Sequence, residues 1–162
     1  MAGRSGAHGS HHPRRARGRE QARELAFRLL SRRARSESEI AAKLERAGAS
    51  RRLMRGVLAR LRSLGYVDDR KLAADCVERG KERGFGSLRI QDQLRRLDVD
   101  ERIVEGAVLG GREERALARR LLAERFGESD LADRRTAARA ARFLAGRGFP
   151  AEVIDSLFDS WE

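Results

Sequence analysis

Arginine is the residue type best placed to do chemistry in this chain. Arg32, Arg33 and Arg35 form one cluster, and Arg51, Arg52 and Arg55 form another. Guanidinium groups in such clusters suit phosphate or carboxylate oxygens. No aromatic residue is interleaved with either cluster. That argues against a base-stacking groove for single strands and for contact with a nucleic-acid backbone. Asp68, Asp69 and Asp75 are the acidic residues that could hold a divalent cation for phosphodiester hydrolysis. A helix cap explains the Asp68–Asp69 pair more simply, and Asp75 with Glu78 reads as a solvated helix face. The single cysteine, Cys76, falls on an apolar helical position and reads as a small core residue. His8, His11 and His12 all lie near the N-terminus, which leaves no histidine in the ordered part to act as a base. The chain has no phosphate-binding Gly-rich loop followed by Lys-Ser/Thr, no Cys-x-x-Cys pair and no serine nucleophile motif. Catalysis is not expected, and neither is a metal or other cofactor.

The distribution of charge favours a polyanionic partner. The net charge is +11 over 162 residues. Residues 1–19 contain five arginines and no acid, and residues 20–68 contain twelve bases against six acids. Residues 69–110 carry nine of each, and residues 111–162 ten of each. The whole excess therefore sits in the first 68 residues, as expected of a nucleic-acid contact end. The plain alternative is an arginine-rich composition, since 33 of the 36 bases are arginine. No apolar run approaches the ~20 residues needed to cross a bilayer, and no apolar signal segment opens the chain. One cysteine cannot form an internal disulfide, so a reducing cytoplasm is expected.

The elements that must position these residues are helical, because Ala, Leu, Arg and Glu dominate. Residues 1–19, rich in Gly, Ser, His and Arg, are expected to form a disordered basic arm. Beyond them a pattern recurs with a period of 50 residues. Leu44, Leu94 and Leu144 each stand four residues before a turn residue: Gly48, Asp98 or Gly148. Apolar pairs follow at matched distances: Leu53-Met54, Ile103-Val104 and Val153-Ile154. Between turn and pair stand Ser50, Asp100 and Pro150, types suited to a helix start. A preceding helix is marked by Leu25-Ala26, Leu72-Ala73 and Leu117-Ala118. The expected fold is all-α, with three tandem three-helix repeats at 20–68, 69–110 and 111–162 forming an elongated curved array. Ser36 with Glu39 predicts a capping box, Gly65 a left-handed helix end, and Asp69 the next cap. Arg32, Arg33 and Arg35 would then close the first helix, where they also complement its dipole. Arg51, Arg52 and Arg55 would open the third helix, where a dipole argument does not account for them.

Several of these segments resemble the RecX family. They are Arg35-Ser36-Glu37-Ser38-Glu39-Ile40 with Leu44, and Leu64-Gly65-Tyr66-Val67-Asp68-Asp69 with Leu72-Ala73. Arg83-Gly84-Phe85-Gly86 and Arg142-Phe143-Leu144-Ala145-Gly146-Arg147-Gly148-Phe149 complete the set, in the family's order from about Glu20 to Trp161. Leu72 stands where the family usually has an aromatic residue, and Asp98 where glycine is common. The resemblance implies a monomeric cytoplasmic regulator of the RecA recombinase. Such a protein binds RecA and lies along the helical groove of its filament on single-stranded DNA. It mainly inhibits the ATPase, strand-exchange and co-protease activities that serve DNA repair and the SOS response. The basic first repeat would face DNA phosphate or an acidic RecA surface, and the neutral repeats would make shape-based protein contacts. The rival expectation is a helix-turn-helix transcription factor, because a basic helix follows a tight turn.

Overall fold

A computed structural model describes residues 13–127 and 133–158, and every regular element among them is an α-helix. In chain order these are α1 (Pro13–Leu30), α2 (Glu37–Arg46), α3 (Arg51–Ser63), α4 (Asp69–Glu82), α5 (Ser87–Arg96), α6 (Glu101–Gly106), α7 (Gly111–Phe126), α8 (Arg134–Gly146) and α9 (Ala151–Phe158). They follow the expected grouping in threes. α1 begins inside the segment expected to be an arm, because Pro13 suits a first helical turn and the arginines after it are good helix formers. His8, His11 and His12 lie outside the described residues. The chain divides into two compact units between Val67 and Asp68.

The first unit is the first repeat, with a core of Ala22, Ala26, Ile40, Leu44, Val57, Leu58, Leu61 and Val67. The expected capping box opens α2. The Glu39 amide donates to Ser36 Oγ at 3.1 Å, and the Ser36 amide donates to Glu39 Oε2 at 3.3 Å. Gly48 turns the chain into α3 at φ +82°, and Ser50 Oγ accepts the Leu53 amide at 3.3 Å. α3 ends at Gly65, φ +72°, where the Tyr66 amide donates to the Leu61 carbonyl at 2.9 Å. The Tyr66 ring meets Phe27 edge-on, with centroids 5.1 Å apart.

The second unit holds the second and third repeats around one continuous core that includes Leu72, Ile90, Leu94, Val104, Leu117, Leu144, Phe149 and Ile154. Leu44, Leu94 and Leu144 are all fully buried, as their matched positions require. Asp98 takes φ +53°, the left-handed turn that Gly48 and Gly148 make in the other repeats. The cap of α4 is Asp68, one residue earlier than expected: its Oδ1 accepts the Arg70 and Lys71 amides, both at 3.0 Å, and Asp69 is already helical.

Repeats two and three are stitched together at backbone level. The Gly86 amide donates to the Arg147 carbonyl at 2.9 Å, and the Leu88 amide to the Gly148 carbonyl at 3.0 Å. Arg147 Nη1 donates to the Arg83 carbonyl at 2.7 Å. A Cβ on Gly86 would collide with the Gly148 carbonyl and the Phe149 amide. Glu114 of α7 adds a second stitch. It is 3% exposed and accepts the Ser87 amide at 2.7 Å and the Ser87 hydroxyl at 3.0 Å. Ser87 Oγ in turn accepts the Leu109 amide at 2.9 Å. The segments Arg83–Gly86 and Arg147–Phe149 that carry much of the family resemblance are therefore the seam between two repeats.

Candidate functional site

The two arginine clusters behave differently. α1 ends at Leu30, so Arg32, Arg33 and Arg35 lie in the α1–α2 turn rather than on the last turn of the helix. Arg33 grips the Glu39 carboxylate with both terminal nitrogens, at 2.5 and 3.1 Å, and reaches the Ala34 carbonyl at 3.0 Å. The hydrogen bonds to Glu39 push the Arg33 pKa up. Arg35 donates to the Leu29 carbonyl at 3.2 Å and to Glu39 at 3.4 Å. Glu39 also closes the capping box, so these two arginines brace the turn and spend their charge on one carboxylate. Arg32 is exposed.

Arg51, Arg52 and Arg55 are exposed at the start of α3. Helical geometry divides them. Arg51 and Arg55, four apart, share a face, whereas Arg52 is rotated by about 100° from Arg51. Arg52 borders a groove of about 560 Å³ between α1 and α3. Its polar lining is Arg19, Arg23, Arg52 and Arg60, its apolar lining is Phe27, Leu53, Val57 and Leu61, and Gly56 lies between. No carboxylate is among the lining residues. Glu20 approaches Arg23 to 4.0 Å, with both side chains well exposed, which is a weak pairing.

Sequence reasoning missed Arg19, Arg23 and Arg60. The signal was present as four-residue spacing: Arg19, Arg23 and Phe27 on one helix, and Arg52, Gly56 and Arg60 on the other. A second groove, of about 460 Å³, lies between α4 and α6 of repeat two. Its lining includes Arg70, Arg102, Ile103 and Gly106, and also Glu78. With the 50-residue period, Arg102, Ile103 and Gly106 match Arg52, Leu53 and Gly56. Aligning the first helices on Leu25-Ala26 and Leu72-Ala73 matches Arg70 to Arg23.

The other candidates are structural. No group of three His, Cys, Asp or Glu residues among those described is arranged to hold a metal ion. Cys76 is buried with Sγ 3.6 Å from Gln93 Oε1, and loss of solvent pushes its thiol pKa up. That is the reverse of what a reactive cysteine needs. No described helix is long and apolar enough to cross a membrane.

These features define a helical-repeat protein whose distinctive surface is a basic groove on a separate first repeat. The models for the first and third three-helix domains of RecX match residues 22–61 and 113–158. The chain is 36% identical over 136 residues to the regulatory protein RecX of Halorhodospira halophila, covering 83% of this chain and 84% of that one. It is 38% identical over 149 residues to the regulatory protein RecX of Deinococcus radiodurans, covering 88% and 71%. The crystal structure of RecX from Lactobacillus salivarius superposes with a TM-score of 0.78 at 20% identity, over 90% of this chain and 97% of that one. The chain belongs to the RecX family.

Proposed function

We propose that this chain is a monomeric, cytoplasmic regulator that binds RecA and its filament on single-stranded DNA, lies along the filament's helical groove, and mainly inhibits ATPase, strand exchange and co-protease activity. It acts by binding, without a cofactor, in DNA repair and the SOS response. The observation that carries this reading is likeness to proteins named as RecX regulators across more than four-fifths of the chain. Charge refines it. The basic first repeat is the end that meets polyanion, and the neutral second and third repeats contribute shape-based protein contacts. Of the six cluster arginines, Arg32, Arg51 and Arg55 would reach DNA phosphate, because Arg33 and Arg35 are committed to Glu39 and the equally exposed Arg52 borders the α1–α3 groove.

A RecA ATPase assay on single-stranded DNA tests the core of the reading. Added chain should lower the rate in a dose-dependent way, and an unchanged rate at saturation would refute it. Filament titrations at several salt concentrations test the charged end. Replacing Arg32, Arg51 and Arg55 with Ala should make the slope of log K against log salt shallower by up to ~2, at roughly 0.7 per lost phosphate contact. The same replacement of exposed Arg134, Arg135 and Arg139 should change it less. Equal changes would remove the special role of the first repeat.

A further inference from the structure

We propose that the groove between α1 and α3 is a docking site for an acidic protein segment that carries one bulky apolar side chain. The proposal deepens the reading of the first repeat as an anion-facing end and names the occupant. Four arginines and no carboxylate line the groove, so a bound segment must bring negative charge. Leu53, Val57 and Leu61 line it as well, and a sugar–phosphate backbone has nothing to place against them. Phe27 also lines the groove, but its ring is already met edge-on by Tyr66, and the matching groove of repeat two has no aromatic residue, so the series of stacking platforms that single-strand binding uses is missing. An acidic segment with an apolar anchor satisfies both halves of the site, the helix-in-groove mode of recognition. The volume of about 560 Å³ holds such an anchor.

Gly56 is the most telling residue. It lies in the interior of α3, where glycine disfavours the helix relative to alanine. It makes no turn, and a Cβ there would meet nothing within 4 Å. Packing does not call for glycine at this position, but an open groove does. Comparison of repeats one and two agrees. Arg51 and Arg55 on the outer face become Glu101 and Glu105, a full reversal of charge. The groove positions Arg52 and Gly56 recur as Arg102 and Gly106. Between α3 and α6 the outer face has thus diverged while Arg52 and Gly56 of the groove face are retained; repeat three, with Glu152 and Ser156 there, keeps neither.

The test titrates full-length chain with two fluorescein-labelled probes, an acidic peptide with a central phenylalanine and the same peptide with serine in its place. A single-stranded oligothymidylate serves as competitor. The phenylalanine peptide should bind at least tenfold more tightly than the serine peptide. Gly56→Leu should weaken that binding tenfold or more while leaving thermal unfolding no lower than in the parent. The double variant R52E/R60E, at exposed positions, should do the same, whereas R51A/R55A should stay within twofold. Equal affinity for both peptides, or undiminished binding by Gly56→Leu, would overturn the proposal. Preferential loss of oligothymidylate binding in Gly56→Leu would assign the groove to nucleic acid instead and overturn it too. RecA inhibition that survives loss of the peptide site would sink the groove alone, and peptide binding without RecA inhibition would sink the regulatory reading alone.

Discussion

Replacing Glu114 should be among the most damaging single changes to the second unit. The α5 N-terminus has Gly86 at its cap position, which offers no side chain to the first amides of the helix. Glu114 reaches across from α7 and accepts both the amide and the hydroxyl of Ser87, at 2.7 and 3.0 Å. The carboxylate meets the positive end of the α5 dipole in a site shielded from water. Hydrogen bonds to a charged group contribute ~1.5–3 kcal/mol each, and they are not additive when they share a partner. Glu114→Ala removes both and leaves a buried amide and hydroxyl without acceptors, at ~1–3 kcal/mol for each unsatisfied group. Partial relaxation or an entering water lowers the total, so the expected loss is ~3–4 kcal/mol. Glu114→Gln keeps one acceptor oxygen and should cost about half as much. Urea denaturation, read by hydrogen exchange in peptides from α5 and α7, measures the change and separates it from the first unit. A loss below ~0.5 kcal/mol for the alanine variant would refute the capping role.

Gly86→Ala should destabilise the second unit by more than ~3 kcal/mol, because its Cβ would strike backbone across the seam, whereas Gly65→Ala, with open space and only an unfavourable φ, should cost ~1 kcal/mol; paired thermal melts compare them. Asp98→Gly should stabilise by ~0.5–1 kcal/mol in a urea titration, since an aspartate is held at φ +53° where the other repeats use glycine. Leu44→Ala and Leu94→Ala should each cost ~2–5 kcal/mol, but exchange protection should fall in α1–α3 for the first and in α4–α9 for the second. The Thr136 amide and hydroxyl hold the Asp133 carboxyl below its ordinary value. This cap on α8 is therefore fully made above the usual carboxylate pKa and lost as pH falls through the lowered one. The Thr136 amide resonance should titrate with a midpoint below ~3.9.

The parts of this fold that the sequence made legible are those with local marks. The 50-residue period survives without gaps, so Leu44, Leu94 and Leu144 could be aligned and are buried together. Ser36 with Glu39, and Gly65 at positive φ, follow from chemistry within one helical turn. The position of Cys76 on an apolar stripe also sufficed to place it in the core. What was not legible depends on distance along the chain. Glu114 stands among Arg112, Glu113 and Arg115 and looks like any solvated acid, yet a partner 27 residues away buries it. Arg33 and Arg35 look free until the turn folds back and Glu39 takes both. The choice between Asp68 and Asp69 as cap turned on one residue of register. The arginines of the groove come from two helices, and neither run alone shows that the other faces it.

The division at Val67 gives the charge asymmetry a physical meaning. A repeat of this size buries too little surface to be robust by itself, and the second and third repeats solve that by sharing a core, a backbone seam and the Glu114 cap. The first repeat instead has its own separate core, closed by the Ser36–Glu39 box and by Arg33 and Arg35 clamped on the same glutamate. Most of its remaining arginines are therefore free of structural duty. Arg51, Arg52, Arg55 and Arg60 can change without touching any stitch that holds repeats two and three. Such an arrangement lets affinity for an anionic partner vary through surface charge alone, while the packing of the neutral unit stays constant. It also accounts for two segments that carry the family resemblance, Arg83–Gly86 and Arg147–Phe149, lying at the seam and not in the groove: they set the geometry of the paired repeats, where a single added methyl group meets backbone.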